Sequence, residues 1–311
     1  MDMHTPVLLN KVIEYLDPKP GEFVIDGTVD GCGYASAILE RLGNSGKFLG
    51  IDWDWRMVRG GCSKIKNFEQ RGIKISLVND NFANMPNLLE QGNFGKAEAL
   101  VLDLGFSSEQ LEHSGRGFSF LKDEPLKMTY SDTLEPVKDI LKRLSIDELA
   151  KIINDFSQER FARRIAEAIK KREKAKPIET AKDLATVIAA AVPKNYERGR
   201  IHPATRTFLA LRIYANKELE NLETILKNLT LILKPGGRIV IVSFHSLEDK
   251  LVKNYFRDYA KGGSDPAKRD YYSPKVGTVK ILTKKPIVPD REEIKENPRA
   301  RSAKLRAAII I

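Results

Sequence analysis

Residues 22–52 hold Glu22-Phe-Val-Ile-Asp-Gly-Thr28, the turn Val29-Asp-Gly-Cys-Gly-Tyr-Ala-Ser36, and Lys47-Phe-Leu-Gly-Ile-Asp52. Two short apolar runs each close on an acid. Between them a stretch over Gly33–Leu42 places Ala37, Ile38, Leu39 and Leu42 at helical spacing. Further along the chain, Ile73–Val78 and Ala99–Leu104 repeat the pattern of a short, nearly continuous apolar run. Strands of that kind alternating with helices indicate a parallel sheet covered on both faces, an α/β fold. Ligands of such sheets bind beyond the strand C-termini, and here those ends carry Asp26, Asp52 and Asp103.

The pattern changes near Glu109. From there to Asn216 the chain is charged and helical in period, over Asp147–Arg172 and again over Glu179–Ala191, with Thr180 or Asp183 as N-cap. Strand character returns at Arg238–Phe244 after the turn Lys234-Pro-Gly-Gly237, and two extended segments, Val276–Thr283 and Lys304–Ile311, follow. The expected organisation is therefore an α/β domain of residues 1–108 and 217–311, interrupted by a helical insertion of residues 109–216. Gly262-Gly-Ser264 reads as a flexible loop tip.

Composition narrows the function classes. The 311 residues hold 52 Lys and Arg against 42 Asp and Glu, a formal charge of +10. No apolar run approaches the roughly 18 residues that cross a bilayer. Asn10, Lys11 and Glu14 interrupt any leader-like stretch at the start. A cytoplasmic protein with no membrane partner is expected. Cys32 and Cys62, and four scattered histidines (His4, His113, His202, His245), give neither a disulfide scaffold nor a metal site. Basic residues concentrate in Glu159–Lys176, Lys194–Arg212 and Arg291–Arg306, which together point to nucleic acid. Each run alone would be an ordinary solvated face.

An acidic strand end followed by a glycine turn suits close approach of a nucleotide-like cofactor. Asp52 stands about 20 residues past the turn, where a carboxylate accepts both hydroxyls of an adenosine ribose. A dinucleotide would want a third glycine at the position of Ser36. S-adenosylmethionine needs no phosphate cradle, only acceptors for its ammonium and ribose, which Asp26 and Asp52 supply. Asp103 is placed to accept from an exocyclic amine, holding that nitrogen for in-line attack on the sulfonium methyl. Phe106, Phe118 and Phe120 could stack a splayed base, or equally fill a core under a long loop.

Further motifs make a specific resemblance. His202-Pro-Ala-Thr-Arg-Thr-Phe208, Ala210-Leu-Arg212 with Asn216 and Glu218, Ser243-Phe-His-Ser-Leu-Glu-Asp249 and Asn297-Pro-Arg-Ala-Arg-Ser302 resemble the RsmH (MraW) family. So do His4-Thr-Pro-Val-Leu8, Asp103-Leu-Gly105 with Ser107-Ser108, and Arg116-Gly-Phe-Ser-Phe120. The resemblance implies a class I (Rossmann-like) methyltransferase sheet with an inserted helical domain. It implies transfer of a methyl group from S-adenosylmethionine to N4 of a cytidine in the decoding region of 16S ribosomal RNA, with the small ribosomal subunit as partner. By position it assigns cofactor contacts to Cys32, Gly33, Tyr34, Asp52, Phe82, Asp103 and Gln110. Arg206, Arg212, Arg299 and Arg301 are the candidate RNA contacts, with one of the first two reserved for Glu218. His245 either meets the target cytosine or caps the next helix. The oligomeric state is not legible, and a homodimer is compatible with the sequence.

The departures from the family fall at the cofactor loop. Its usual Gly-x-Gly-Gly-His-Ser is here Asp30-Gly-Cys-Gly-Tyr-Ala35, and its Pro-Leu-Asp-Met-Arg-Met-Asp is Pro125-Leu-Lys-Met-Thr-Tyr-Ser131. Two readings follow: a working methyltransferase with a remodelled pocket, or a catalytically impaired relative that binds RNA in ribosome assembly or regulation. Retention of Asp26, Asp52, Phe82, Asp103 and Gln110 favours the first.

Overall fold

A computed structural model describes residues 6–60, 65–105, 110–111, 114–261 and 277–311. His4, Cys62, Phe106, Ser107, Ser108, His113 and the Gly262–Ser264 tip lie outside the described residues. The chain divides into two units, Met1–Gly105 with Leu219–Ile311, and Phe106–Glu218.

In the first unit seven strands form one sheet: β1 (Phe23–Asp26), β2 (Lys47–Asp52), β3 (Lys74–Asn79), β4 (Ala97–Asp103), β5 (Leu233–Ser243), β6 (Val279–Ile281) and β7 (Lys304–Ile310). Their order is β3-β2-β1-β4-β5-β7-β6. The first five pair in parallel, while β7 runs antiparallel to both β5 and β6. The parallel pairing expected of the first four strands is present, and the antiparallel β7 makes the whole sheet a mixed one. Alternation along each strand explains why the runs looked continuously apolar. Val24, Phe48, Val101 and Val240 face one core with helices Leu9–Leu16 and Gly33–Leu42. Ile25, Leu49, Leu100 and Ile241 face the other, with Leu222, Ile225 and Phe256.

The turn expected at Lys234–Gly237 lies inside β5 rather than before it. The pairing with β4 jumps from Ala97–Leu233 to Ala99–Arg238, so the turn is looped out as a bulge, with Gly236 at φ +82°.

The second unit is helical, with Val137–Arg143, Ile146–Ser157, Ala162–Ala175, Ala181–Ala191 and Ala204–Asn216 around a core that includes Leu126, Leu141, Ile153, Ile165, Leu184 and Leu211. Ser145 and Glu148 form a reciprocal capping box, and Thr180 caps the helix that starts at Ala181. The single period seen over Asp147–Arg172 is two helices. Gln158 takes a left-handed conformation, φ +52°, and ends the first of them. Among the described residues no helix is long and apolar enough to cross a membrane.

Candidate functional site

The strand order reverses between β1 and β4, which opens a crevice at their C-terminal ends. Register places Asp26 beside Gly50 of β2 and Val101 of β4, so the acids ending β1, β2 and β4 gather at one edge of the sheet. Main-chain donors hold them. Asp26 Oδ1 accepts the N–H of Thr28 at 3.1 Å, and Asp103 Oδ1 that of Gly105 at 3.3 Å. Asp52 accepts the N–H of Asp30 on Oδ2 (3.0 Å) and of Asp54 on Oδ1 (2.8 Å). Thr28, to which sequence reasoning gave no role, ties two strand tips together, because its Oγ1 accepts the N–H of Asp103 at 2.7 Å. A hydroxyl two residues past a strand-end acid was the available signal.

These carboxyls are expensive to ionise where they sit. Burial pushes Asp26 up to about 8, and the charges of Asp103, Asp52 and Asp30 add to the shift. Burial likewise lifts Asp52 and Asp103 to about 7 each, with Asp30 adding to both. Asp26 is fully buried, and its Oδ2 has no hydrogen-bond partner among the described residues. An acceptor-rich, partly protonated cluster of this kind is complementary to a cation, or to a ligand that offers N–H and O–H donors.

The loop over these acids is shaped by close contacts. A Cβ on Gly27 would stand 2.5 Å from Leu102 Cδ2 and 3.4 Å from Phe82 Cβ, so the bare glycine lets Phe82, in the turn Phe82–Asn84 after β3, lean over the end of β1. Cys32 is buried at φ +61°, where a side chain costs about 1–2 kcal/mol. It precedes the helix Gly33–Leu42 without side-chain capping. Gly33 serves packing, since a Cβ there would be 2.2 Å from Pro6 Cγ. The buried hydroxyl of Tyr34 donates to the carbonyl of Val7 and also lies within hydrogen-bonding reach of Asp103. Segment Pro6–Leu8 is thereby seated on the loop, and the Leu8 N–H is held by Glu293 Oε1 at 2.5 Å.

Other predicted residues fall elsewhere. His245 is the N-cap of helix Ser246–Ala260, in a capping box with Glu248. Its Nδ1 accepts the Glu248 N–H at 3.4 Å, and its Nε2 stands 3.1 Å from Glu248 Oε1. The pattern His-x-x-Glu carries that signal, as Ser-x-x-Glu does elsewhere. Of the two arginines, Arg212 is the one that pairs with Glu218. It is buried and grips Glu218 with Nε at 2.7 Å and Nη2 at 2.9 Å, so its fork is spent within the helical unit. Arg206 is half-buried, 3.9 Å from Glu159. Arg299 and Arg301 are exposed on the turn Pro298–Ser302. Phe118 and Phe120 are used in packing: Phe118 stacks on Tyr130, and Phe120 on His202 at 4.5 Å between centroids. Gln110 is buried and belongs to the helical unit.

A doubly wound sheet in this order, with one reversed strand and acids at the tips of β1, β2 and β4, is the class I methyltransferase architecture. Comparison with known proteins gives the particular family. The MraW methylase family matches residues 1–311. The ribosomal RNA small subunit methyltransferase H of Syntrophobacter fumaroxidans is 41% identical over 309 residues, covering 98% of this chain and 95% of that protein. Its counterparts in Syntrophus aciditrophicus and Geobacter sulfurreducens are each 43% identical, over 310 and 308 residues, and cover 98% of this chain and 96% and 98% of their own. The chain belongs to the MraW methylase family.

Proposed function

We propose that this protein transfers a methyl group from S-adenosylmethionine to N4 of a cytidine in the decoding region of 16S ribosomal RNA. The observation that carries the reading is the cluster of strand-tip acids, Asp26 and Asp52 buried and Asp103 half-buried, in a chain that matches a methylase family over residues 1–311. The donor set fits the cofactor. Asp52 at the end of β2 accepts the ribose hydroxyls, and the orphaned Oδ2 of Asp26 is an acceptor for the ammonium. Phe82 gives the adenine an apolar flank, and Gln110 is carried as a cofactor contact by the family resemblance alone. Cys32, Gly33 and Tyr34 shape the loop, Tyr34 by anchoring Val7.

When bound, S-adenosylmethionine supplies an electrophilic methyl group. Asp103 accepts an N–H of the cytosine amine and aims its lone pair along the line of attack. The cofactor would supply its methyl with loss of the S–C bond as the N–C bond is made, and Asp103, whose carboxyl is pushed up to about 7, or water would take the displaced amine proton. His245 fixes the start of its helix at the same end of the sheet, following β5, and is a candidate contact for the base. Residues 109–216 are proposed as the substrate-recognition domain. Exposed cations on helix Ala162–Ala175, with Arg206, Arg299 and Arg301, hold the RNA backbone. The small subunit is the partner, in the cytoplasm. A homodimer is compatible with this reading.

The non-catalytic reading is not favoured. A pocket with no cationic ligand gains nothing from burying acids that are so hard to ionise, and neutral replacements would stabilise it. Calorimetry of S-adenosylmethionine with wild type and Asp52→Ala tests the proposal. Binding by the wild type, weakened about a hundredfold or more in the variant, is expected. No binding by the wild type would overturn it.

A further inference from the structure

Asp30 is the acid that this loop places where the family loop carries glycine. Nothing in the transfer chemistry above needs it, and its conformation is unfavourable, with φ at +36°. Its main-chain N–H is fixed on Asp52 Oδ2 at 3.0 Å, and its own carboxylate Oδ1 is shut away from solvent. A fourth carboxyl therefore stands over the three strand tips, and its charge acts on Asp26, Asp52 and Asp103 alike. Among the described residues, Asp54 adds its charge at Asp52, Glu248 at Asp103 and Glu293 at Tyr34. Asp54 is itself neutralised by Arg56 at 2.5 Å. Asp26, fully buried with Oδ2 orphaned, marks this as a place built for a positive ligand.

The substrate and product forms of the cofactor differ by one charge. S-adenosylmethionine carries a sulfonium, whereas S-adenosylhomocysteine has a neutral thioether and lacks the transferred methyl; the two are the same in every other group. An additional carboxylate with one oxygen shut away from solvent favours the first over the second, and water screens that oxygen less than it would at the surface. We propose that Asp30 is a specificity-determining residue that makes this pocket discriminate by ligand charge, favouring S-adenosylmethionine over S-adenosylhomocysteine and so limiting product inhibition. The proposal rests on the cofactor reading above. It concerns what the departure at position 30 adds to that pocket.

Titration calorimetry at pH 8 with S-adenosylmethionine, S-adenosylhomocysteine and sinefungin, whose amine places a positive charge near the sulfonium position, tests it. In Asp30→Asn the two cationic ligands weaken about tenfold, while S-adenosylhomocysteine changes less than about twofold. Asp30→Gly, which also relieves the positive φ, gives the same collapse of the preference and guards against a folding defect. In the wild type the preference shrinks from pH 8 to pH 6 as the strand-tip acids take up protons. Equal weakening of all three ligands, or an unchanged preference, overturns the role of Asp30. A wild type that binds none of them overturns the cofactor reading and this proposal with it, so the two failures are distinguishable.

Discussion

Asp26, Asp52 and Asp103 carry folded-state pKa values near 8, 7 and 7, against about 4 for a carboxyl in an unfolded chain. The folded protein therefore holds protons that the unfolded chain releases between about pH 4 and pH 8. Stability from these groups is greatest below pH 4 and declines as pH rises through that window. Asp26→Asn, which removes the most shifted of them, is expected to raise the thermal midpoint by several degrees at pH 8 and hardly at all at pH 4. Scanning calorimetry at both values decides it, and an equal shift at each would contradict the assignment. The three acids were legible in the sequence because each closes an apolar run. Thr28 was not, since a threonine in a turn does not announce that its hydroxyl will meet a neighbouring strand. That either Arg206 or Arg212 pairs with Glu218 was legible, but not which: the fork of Arg212, six positions before Glu218, is the one held at both ends.

At the scale of elements, the start of helix Ser246–Ala260 depends on His245 and Glu248. Glu248 Oε2 also accepts the main-chain N–H groups of Phe244 (2.9 Å) and His245 (3.2 Å). His245→Ala should lower stability by about 1 kcal/mol in urea unfolding, and His245→Asn, which can still cap, by less. Equal losses would mean that the ring packs rather than caps. The cofactor loop depends in turn on the seat of Pro6. Gly33→Ala drives a methyl to 2.2 Å from the Pro6 ring and should destabilise by about 1–3 kcal/mol, read by the same unfolding. A neutral outcome would show that the segment shifts freely. Strand positions were well legible from period and length. The break at Gln158 was not, because the apolar spacing continues through it and only a left-handed backbone turn separates the helices. The bulge in β5 escaped notice because a Pro-Gly-Gly turn normally precedes a strand rather than interrupting one.

At the scale of the molecule, the sequence carries an excess of 10 positive charges, and the described basic side chains on helix Ala162–Ala175 are mainly exposed. Binding to ribosomal RNA should weaken steeply with salt. The double variant Arg299→Ala, Arg301→Ala should lower the slope of log affinity against log salt by about 1.5–2. An unchanged slope would remove that turn from the interface. The class of fold followed from alternating strands and helices, and the charge pointed to a polyanion. The reversed β7 could not be read, since an apolar run has the same composition in either direction.

The most direct test of the central claim is transfer of label from methyl-labelled S-adenosylmethionine to small ribosomal subunits that lack this family's modification. The account predicts one label per subunit, on N4 of a single cytidine in the decoding region. Absence of label from the subunits, with the cofactor demonstrably bound, would contradict it.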